Sequence, residues 1–265
     1  MDNLFPSLAA LKGVQEVRLV AGAKVVVLAL DRRIVCPEVV EGGHLIAIVK
    51  AASDNSVYTA LDKMAMGYIP YEGGVRIGLA GEYVVKEGKL YSLRQISGLV
   101  IRFAHEVVGC SGEIPLSKIL SLGLLVVSPP GGGKTTYLRD VARRVALEGV
   151  NVVVLDERGE LSGGLCSGQA SLDLGGAMVL AGTPKLMVSQ GVVRALNPKV
   201  IVTDELMEED YSLVRALRVS GVTVVASMHA KWRRSIPEEI AREFGAIVTL
   251  SSVPRAGSVV EVWYG

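Results

Sequence analysis

Leu124-Leu125-Val126-Val127-Ser128-Pro129-Pro130-Gly131-Gly132-Gly133-Lys134-Thr135-Thr136 is the stretch that decides the fold. Its apolar start has the length of a buried strand, and a Gly-rich turn follows. The turn matches the phosphate-loop pattern G-x-x-x-x-G-K-[ST] at Gly133, Lys134 and Thr135, with Ser128 at the first Gly position. Each residue type answers a physical need. Glycines let backbone N–H groups turn inward around a β-phosphate. The helix that follows offers its positive N-terminus to the same anion. Lys134 is suited to neutralise β- and γ-phosphate charge, and the Thr135 hydroxyl to ligate Mg2+. Ser128, Pro129, Pro130, Gly131, Gly132, Gly133, Lys134, Thr135 and Thr136 are therefore the expected cradle for ATP and Mg2+. A Gly-rich turn that only resembles the motif is the competing reading. The buried strand before it and the amphipathic helix after it are the context the motif requires.

That helix, expected over 136–148, puts Leu138, Val141, Ala142 and Val145 on one face and Arg139, Arg143 and Arg144 off it. Gly149 ends it. Further strands are expected at 151–155, 200–203, 222–226, 246–250 and 259–263, with helices at 184–196, 208–220 and 237–244. Strands alternating with helices predict a mostly parallel sheet covered on both faces, an α/β RecA-like P-loop NTPase domain. Before residue 110 the character is different. Runs at 17–20 and 24–30 flank Ala21-Gly22-Ala23 as a hairpin. Gly73-Gly74 and Gly88 punctuate strands at 75–80, 82–86 and 90–93, with helices at 44–53 and 56–66. A smaller α+β domain over 1–110 is thus expected to precede the ATPase domain over 111–265, with a hinge at 110–115.

A Mg-nucleotide site needs an acid at the end of a neighbouring apolar strand. Val200-Ile201-Val202-Thr203-Asp204-Glu205 supplies it: Asp204 for the metal shell, Glu205 one step on to polarise a water. Val152-Val153-Val154-Leu155-Asp156-Glu157-Arg158-Gly159-Glu160 is a second strand ending in carboxylates. Parallel strands deliver their C-terminal ends to one crevice, so Glu157 or Glu160 can reach the water at the γ-phosphate. A capping and ion-pair cluster at the strand–loop junction explains the same residues. His229, at the tip of the strand after Asp204, is placed to sense the γ-phosphate, against a purely structural role. His44 and His105 have no such context, and the basic run Lys231-Trp232-Arg233-Arg234 reads as a solvated loop.

Composition sets the outer limits. A chain of 265 residues holds one large domain or two small ones. Lys+Arg 28 against Asp+Glu 27 gives a net charge of +1, without the global footprint of a nucleic-acid or anionic-membrane binder. Mean hydropathy is high at +0.41, yet no apolar run reaches the roughly 18 residues of a membrane span. Met1-Asp2-Asn3 lacks the positive start of a signal peptide. Cys36, Cys110 and Cys166 are odd in number and form no CxxC, which argues for a reducing cytosol without disulfides or zinc.

Phosphate loop, carboxylate box, strand-end Asp-Glu and strand-end His stand in the order that resembles the ATPases of type II and type IV secretion and of pilus motors. The chain resembles more closely the stage III sporulation protein AA family. That resemblance rests on Pro129 to Asp140, on Asp156-Glu157-Arg158-Gly159-Glu160-Leu161, and on Asn197-Pro198-Lys199 running into Val200 to Glu205. Residues 73–81 and 96–102 are similar to the family's ring-forming domain. The resemblance implies an ATPase, cytoplasmic and peripheral at the membrane around the forespore on the mother-cell side. It implies a homo-oligomer, a hexamer, whose partners are membrane proteins of a sporulation channel that it energises or helps assemble. Nucleotide would lie between subunits, with Arg76, Arg102, Arg158 or Arg194 acting in trans. Two departures stand out: Ser128 replaces the usual Gly, and Asp156-Glu157 reverses the Glu-Asp order of the secretion motors. A nucleic-acid-dependent ATPase is a rival reading, disfavoured because no basic tail follows the last strand. A nucleotide-gated scaffold with little turnover is another, disfavoured because Lys134, Thr135, Asp204 and Glu205 are all present.

Overall fold

The computed structural model of the chain describes residues 4–29, 32–53, 67–71, 75–86, 88–103, 107–166, 169–188 and 190–265. The expected helix at 56–66 lies outside the described residues, as do Gly73, Gly74 and His105. Two compact units are present, Met1–His105 and Glu106–Gly265.

The first unit carries strands β1 (Val14–Val20), β2 (Lys24–Ala29), β3 (Arg32–Val39), β4 (Tyr68–Tyr71), β5 (Val75–Lys86) and β6 (Lys89–Arg102), and helix α1 (Gly42–Ala52). They form an antiparallel sheet of order β3-β2-β1-β6-β5-β4. The hairpin at Ala21-Gly22-Ala23 is as expected: Gly22 supplies the left-handed φ of +79° that the turn needs. Alternation along β1 and β2 buries Val17, Leu19, Val25 and Val27 in one core with Phe5, Leu45, Ile48, Leu99 and Ile101. β5 is one strand where two were expected. A Cβ on Gly81 would lie 1.8 Å from the Gln95 carbonyl oxygen, so the register shift passes through glycine without ending the strand. β3 was not expected from the sequence. It is an edge strand with Pro37 in it and with Arg32 and Arg33 exposed, so it lacks an apolar period.

The second unit has β7 (Leu124–Ser128), β8 (Val152–Asp156), β9 (Leu165–Cys166), β10 (Gln169–Ala170), β11 (Met178–Ala181), β12 (Val200–Thr203), β13 (Thr223–His229), β14 (Ala246–Ser251) and β15 (Ser258–Tyr264). Its helices are α2 (Leu116–Leu122), α3 (Lys134–Leu147), α4 (Gln190–Leu196), α5 (Tyr211–Val219) and α6 (Glu238–Ala241). The main sheet runs β11-β8-β12-β13-β7-β14-β15, parallel except where β15 pairs antiparallel with β14. Alternate residues of the same strands feed two separate cores. Leu124, Val126, Val154 and Val202 pack with Leu138, Val141 and Val145 of α3. Leu125, Val127, Val153 and Ile201 pack with Val214 and Leu217 of α5 and with Phe244. Burial on both faces explains why these strands read as unbroken apolar runs. Full burial of each Val or Leu contributes about 1.5–3 kcal/mol.

Three expected helices are shorter than their patterns. Over 184–196 a 3-10 turn at Lys185–Met187 and α4 are separated by Val188, extended at φ −71°, ψ 95°. Over 208–220 a 3-10 turn at Glu208–Asp210 precedes α5, and 237–244 yields only α6. The units divide at 105/106, not at 110/111. The backbone N–H groups of Gly109 and Ser111 donate to Asp140 on α3, at 2.7 and 2.8 Å, and tie that loop to the second unit.

Candidate nucleotide site

The strand order assembles the site. β13 lies between β7 and β12, and β12 lies next to β8. All four run parallel, so the segments after them meet at one end of the sheet. His229, the last residue of β13, pairs in register with Ser128, the last of β7. It therefore stands between the phosphate loop and the turn holding Asp204 and Glu205. A cleft of about 410 Å³ is lined by the glycines of the loop, Lys134, Thr135, Thr136, Glu160, Asp204, Glu205 and His229.

Local geometry explains the loop's residues. Gly131 and Gly133 take φ of +73° and +90°, where a side chain is strained. A Cβ on Gly132 would lie 2.3 Å from Ser128 Oγ. Ser128 has no positive φ and is the buried end of β7, so the pattern's first glycine is not needed for backbone freedom here. Its hydroxyl donates to the Pro129 carbonyl at 2.7 Å. Lys134 is buried, and its Nζ donates to the Ser128 carbonyl at 3.1 Å. Desolvation holds the Lys134 ammonium below its ordinary pKa, an effect the charge of Glu205 partly offsets.

Lys134 Nζ also lies 3.0 Å from His229 Nδ1, and His229 Nε2 lies 3.0 Å from Glu205 Oε1. An ammonium only donates, so Nδ1 accepts and Nε2 is assigned the proton that Glu205 receives. Glu205 Oε2 in turn accepts from Arg158 at 2.5 Å. The chain Lys134–His229–Glu205–Arg158 thus links the phosphate loop to the segment after β8. Glu205 sits at φ +43°, a left-handed conformation that a non-glycine residue rarely adopts. Its N–H donates to Ser227 Oγ at 3.0 Å.

The carboxylates divide in two. Asp156 is fully buried and accepts from the N–H groups of Glu160, Leu161 and Ser162 and from the Ser162 hydroxyl. Arg139 of α3 donates to the carbonyls of Glu160 and Leu161, both at 2.9 Å. Together they hold the loop after β8 so that Glu160 faces the phosphate-loop cleft. Glu157 faces a neighbouring cleft of about 430 Å³, where Oε1 accepts from the Lys185 N–H at 3.2 Å. Asp204 lies between the two clefts and lines both. Burial first, and then the charge of Asp156, push its carboxyl up to about 6, while Lys185 pulls it down. Lys185 thus offsets the charge of this carboxyl only in part. With the Thr135 hydroxyl in the same cleft, the oxygen donors suit Mg2+, whose remaining ligands would be water and phosphate. No group of three or more His, Cys, Asp or Glu among the described residues could hold a metal without such help.

Of the four arginines considered for action in trans, Arg158 is engaged with Glu205 of its own chain. Arg102 pairs with Glu16 at 3.0 Å, Arg76 lies over the Tyr68 ring at 5.6 Å, and Arg194 is exposed on α4. Sequence reasoning overlooked Lys185 and Ser227, lone polar residues flanked by apolar ones that carry no spacing signal, and it set Arg139 off the apolar face of its helix, where the structure buries it.

The family model described as "Sporulation stage III, protein AA" matches residues 6–261. "Stage III sporulation protein AA" of Bacillus subtilis (strain 168) is 34% identical over 201 residues, which cover 71% of this chain and 64% of that relative. Among solved structures, the pilus retraction motor PilT with bound ADP is similar at a TM-score of 0.54 and 13% identity, over 89% of this chain and 74% of the other. The ATPase DotB of Yersinia pseudotuberculosis is similar at a TM-score of 0.54 and 15% identity, over 89% and 70%. At those identities the structural likeness establishes the fold, that of the secretion-type P-loop ATPases.

Proposed function

The chain belongs to the family of sporulation stage III, protein AA, and on that premise we propose that it is an ATP-hydrolysing motor or assembly ATPase of a mother-cell-to-forespore channel. The observation that carries this reading is the cleft in which Lys134, His229 and Glu205 are linked in one hydrogen-bonded line. A decayed or merely scaffolding site has no need of that line. The backbone N–H groups at the start of α3 bind the phosphates, and Lys134 leaves His229 to neutralise them. Thr135 and Asp204 would hold Mg2+, which would supply neutralisation of phosphate charge. Glu205 orients the attacking water and accepts its proton. Glu160, in the same cleft, supports it, whereas Glu157 acts at a distance through Lys185. His229 shares one proton network with both Lys134 and Glu205, so it reports whether the γ-phosphate is present.

The working form is a homo-oligomer, a hexamer, with an arginine of one copy completing the site of the next. The first unit, residues 1–105, serves as its interaction domain, and membrane proteins of the channel complex, rather than nucleic acid, are its partners. It works at the cytoplasmic face of the membrane around the forespore. No helix of the described residues is long and apolar enough to cross a membrane, and docking would make one unnecessary. Binding of a fluorescent ATP analogue to the full chain tests the reading. Lys134→Ala removes charge-assisted bonds to phosphate and should weaken binding about 10- to 100-fold. Equal binding by the two proteins would refute the site.

A further inference from the structure

Lys185 is a lysine only 5% exposed, and the chemistry assigned above gives it no role beyond its contact with Glu157. Its Nζ donates to the Asp204 carbonyl at 2.8 Å and to the Glu205 carbonyl at 2.9 Å. Asp210 Oδ2 lies 3.3 Å away and Glu157 Oε2 3.7 Å away. An ammonium has three protons, and these four oxygens saturate it. Carbonyls of consecutive residues point apart along a strand. They converge on one donor only if the backbone turns between them, and the φ of +43° at Glu205 is that turn. The peptide groups of Glu205 are therefore held from both sides: its N–H by Ser227 Oγ, its C=O by Lys185.

We propose that Lys185 is a positioning residue, a built-in cation that locks the Asp204–Glu205 turn so that the Glu205 carboxylate meets His229. This deepens the reading of Glu205 as the carboxylate that orients water, and it rests on that reading. It also gives Glu157 and Asp210 a task. Glu157 grips Lys185 at both ends, through the backbone N–H and through Nζ. Asp210 fixes the other side of the ammonium while accepting from the Met207 N–H at 2.9 Å.

Lys185→Met alone leaves buried carboxylates uncompensated and can unfold the chain. The double variant Lys185→Met/Asp210→Asn restores charge balance, and its amide oxygen still accepts from Met207. Three measurements on the full chain separate the possibilities: ATP turnover, affinity for a fluorescent ATP analogue without Mg2+, and the 13C shifts of the Glu205 Cα and Cβ. Turnover should fall on the order of 100-fold, the cost of misplacing a reacting group by about 1 Å. Affinity should stay within about threefold, since the phosphate loop is untouched. The carbon shifts should leave left-handed values. Turnover within about threefold of wild type, or unchanged Glu205 shifts, would overturn the proposal. If the wild-type chain hydrolyses no ATP, the activity reading fails, yet the shifts still decide whether Lys185 holds the turn.

Discussion

Asp156→Ala should cost the second unit much of its stability, and the size of the loss can be worked from the bonds it breaks. The carboxylate is fully buried at the end of β8 and accepts from three consecutive N–H groups, at 2.8, 3.1 and 2.8 Å, and from the Ser162 hydroxyl at 2.5 Å. A hydrogen bond to a charged group contributes about 1.5–3 kcal/mol. Taking the three backbone bonds at the low end, because the partly exposed loop re-solvates, gives about 4.5 kcal/mol. For a unit of this size each kcal/mol shifts the melting temperature by about 2–4 °C, so Tm should fall roughly 9–18 °C. Asp156→Asn keeps one acceptor oxygen but turns an NH2 group towards donors, so its Tm should lie between the other two. Circular dichroism of the full chain during heating reads all three. A fall of less than about 2 °C for the alanine variant would show that the loop does not depend on this carboxylate.

Glu205→Gln should preserve binding of an ATP analogue and lower turnover about 10²- to 10⁴-fold, the range for loss of a general base. Glu157→Gln, whose amide oxygen can still accept from the Lys185 N–H, should lower turnover less. Measured steady-state rates in the reverse order would exchange the two roles. Asp204 sets a pH dependence. Its carboxyl is raised from 3.8 to about 6, so the folded chain holds this proton more tightly than the unfolded one. Its contribution favours the fold at pH below about 4 and is lost as pH rises to about 6, a difference on the order of 3 kcal/mol. Asp204→Asn without metal should therefore melt higher than wild type at pH 8, with the gap closing at pH 4. Mg2+ binding by the wild type should weaken as pH falls through about 6. An equal Tm at pH 8 would refute the burial argument.

The sheet was legible because its strands are buried on both faces. Runs such as Leu124–Val127 and Val200–Val202 carry no polar residue, so the strands they build end within a residue of expectation. The edge strands β3 and β11 were not legible, since half-covered strands lose the unbroken apolar signature. The helix pattern over 184–196 was misleading for a related reason: Lys185 turns inward to carbonyl and carboxylate oxygens, which no helical periodicity encodes. At the site, Lys134 could be located from the loop pattern, and Asp204, Glu205 and His229 from strand ends. What sequence could not supply is which acid faces which cleft. That choice is made by Asp156 and Arg139, which fold the loop so that Glu160 and Glu157 face different clefts.

ATP hydrolysis measured against protein concentration, beside Lys134→Ala, tests the central claim most directly. The account predicts turnover per chain that rises with concentration, as copies complete one another's sites, and that vanishes in the variant. No turnover above the variant at any concentration would contradict it.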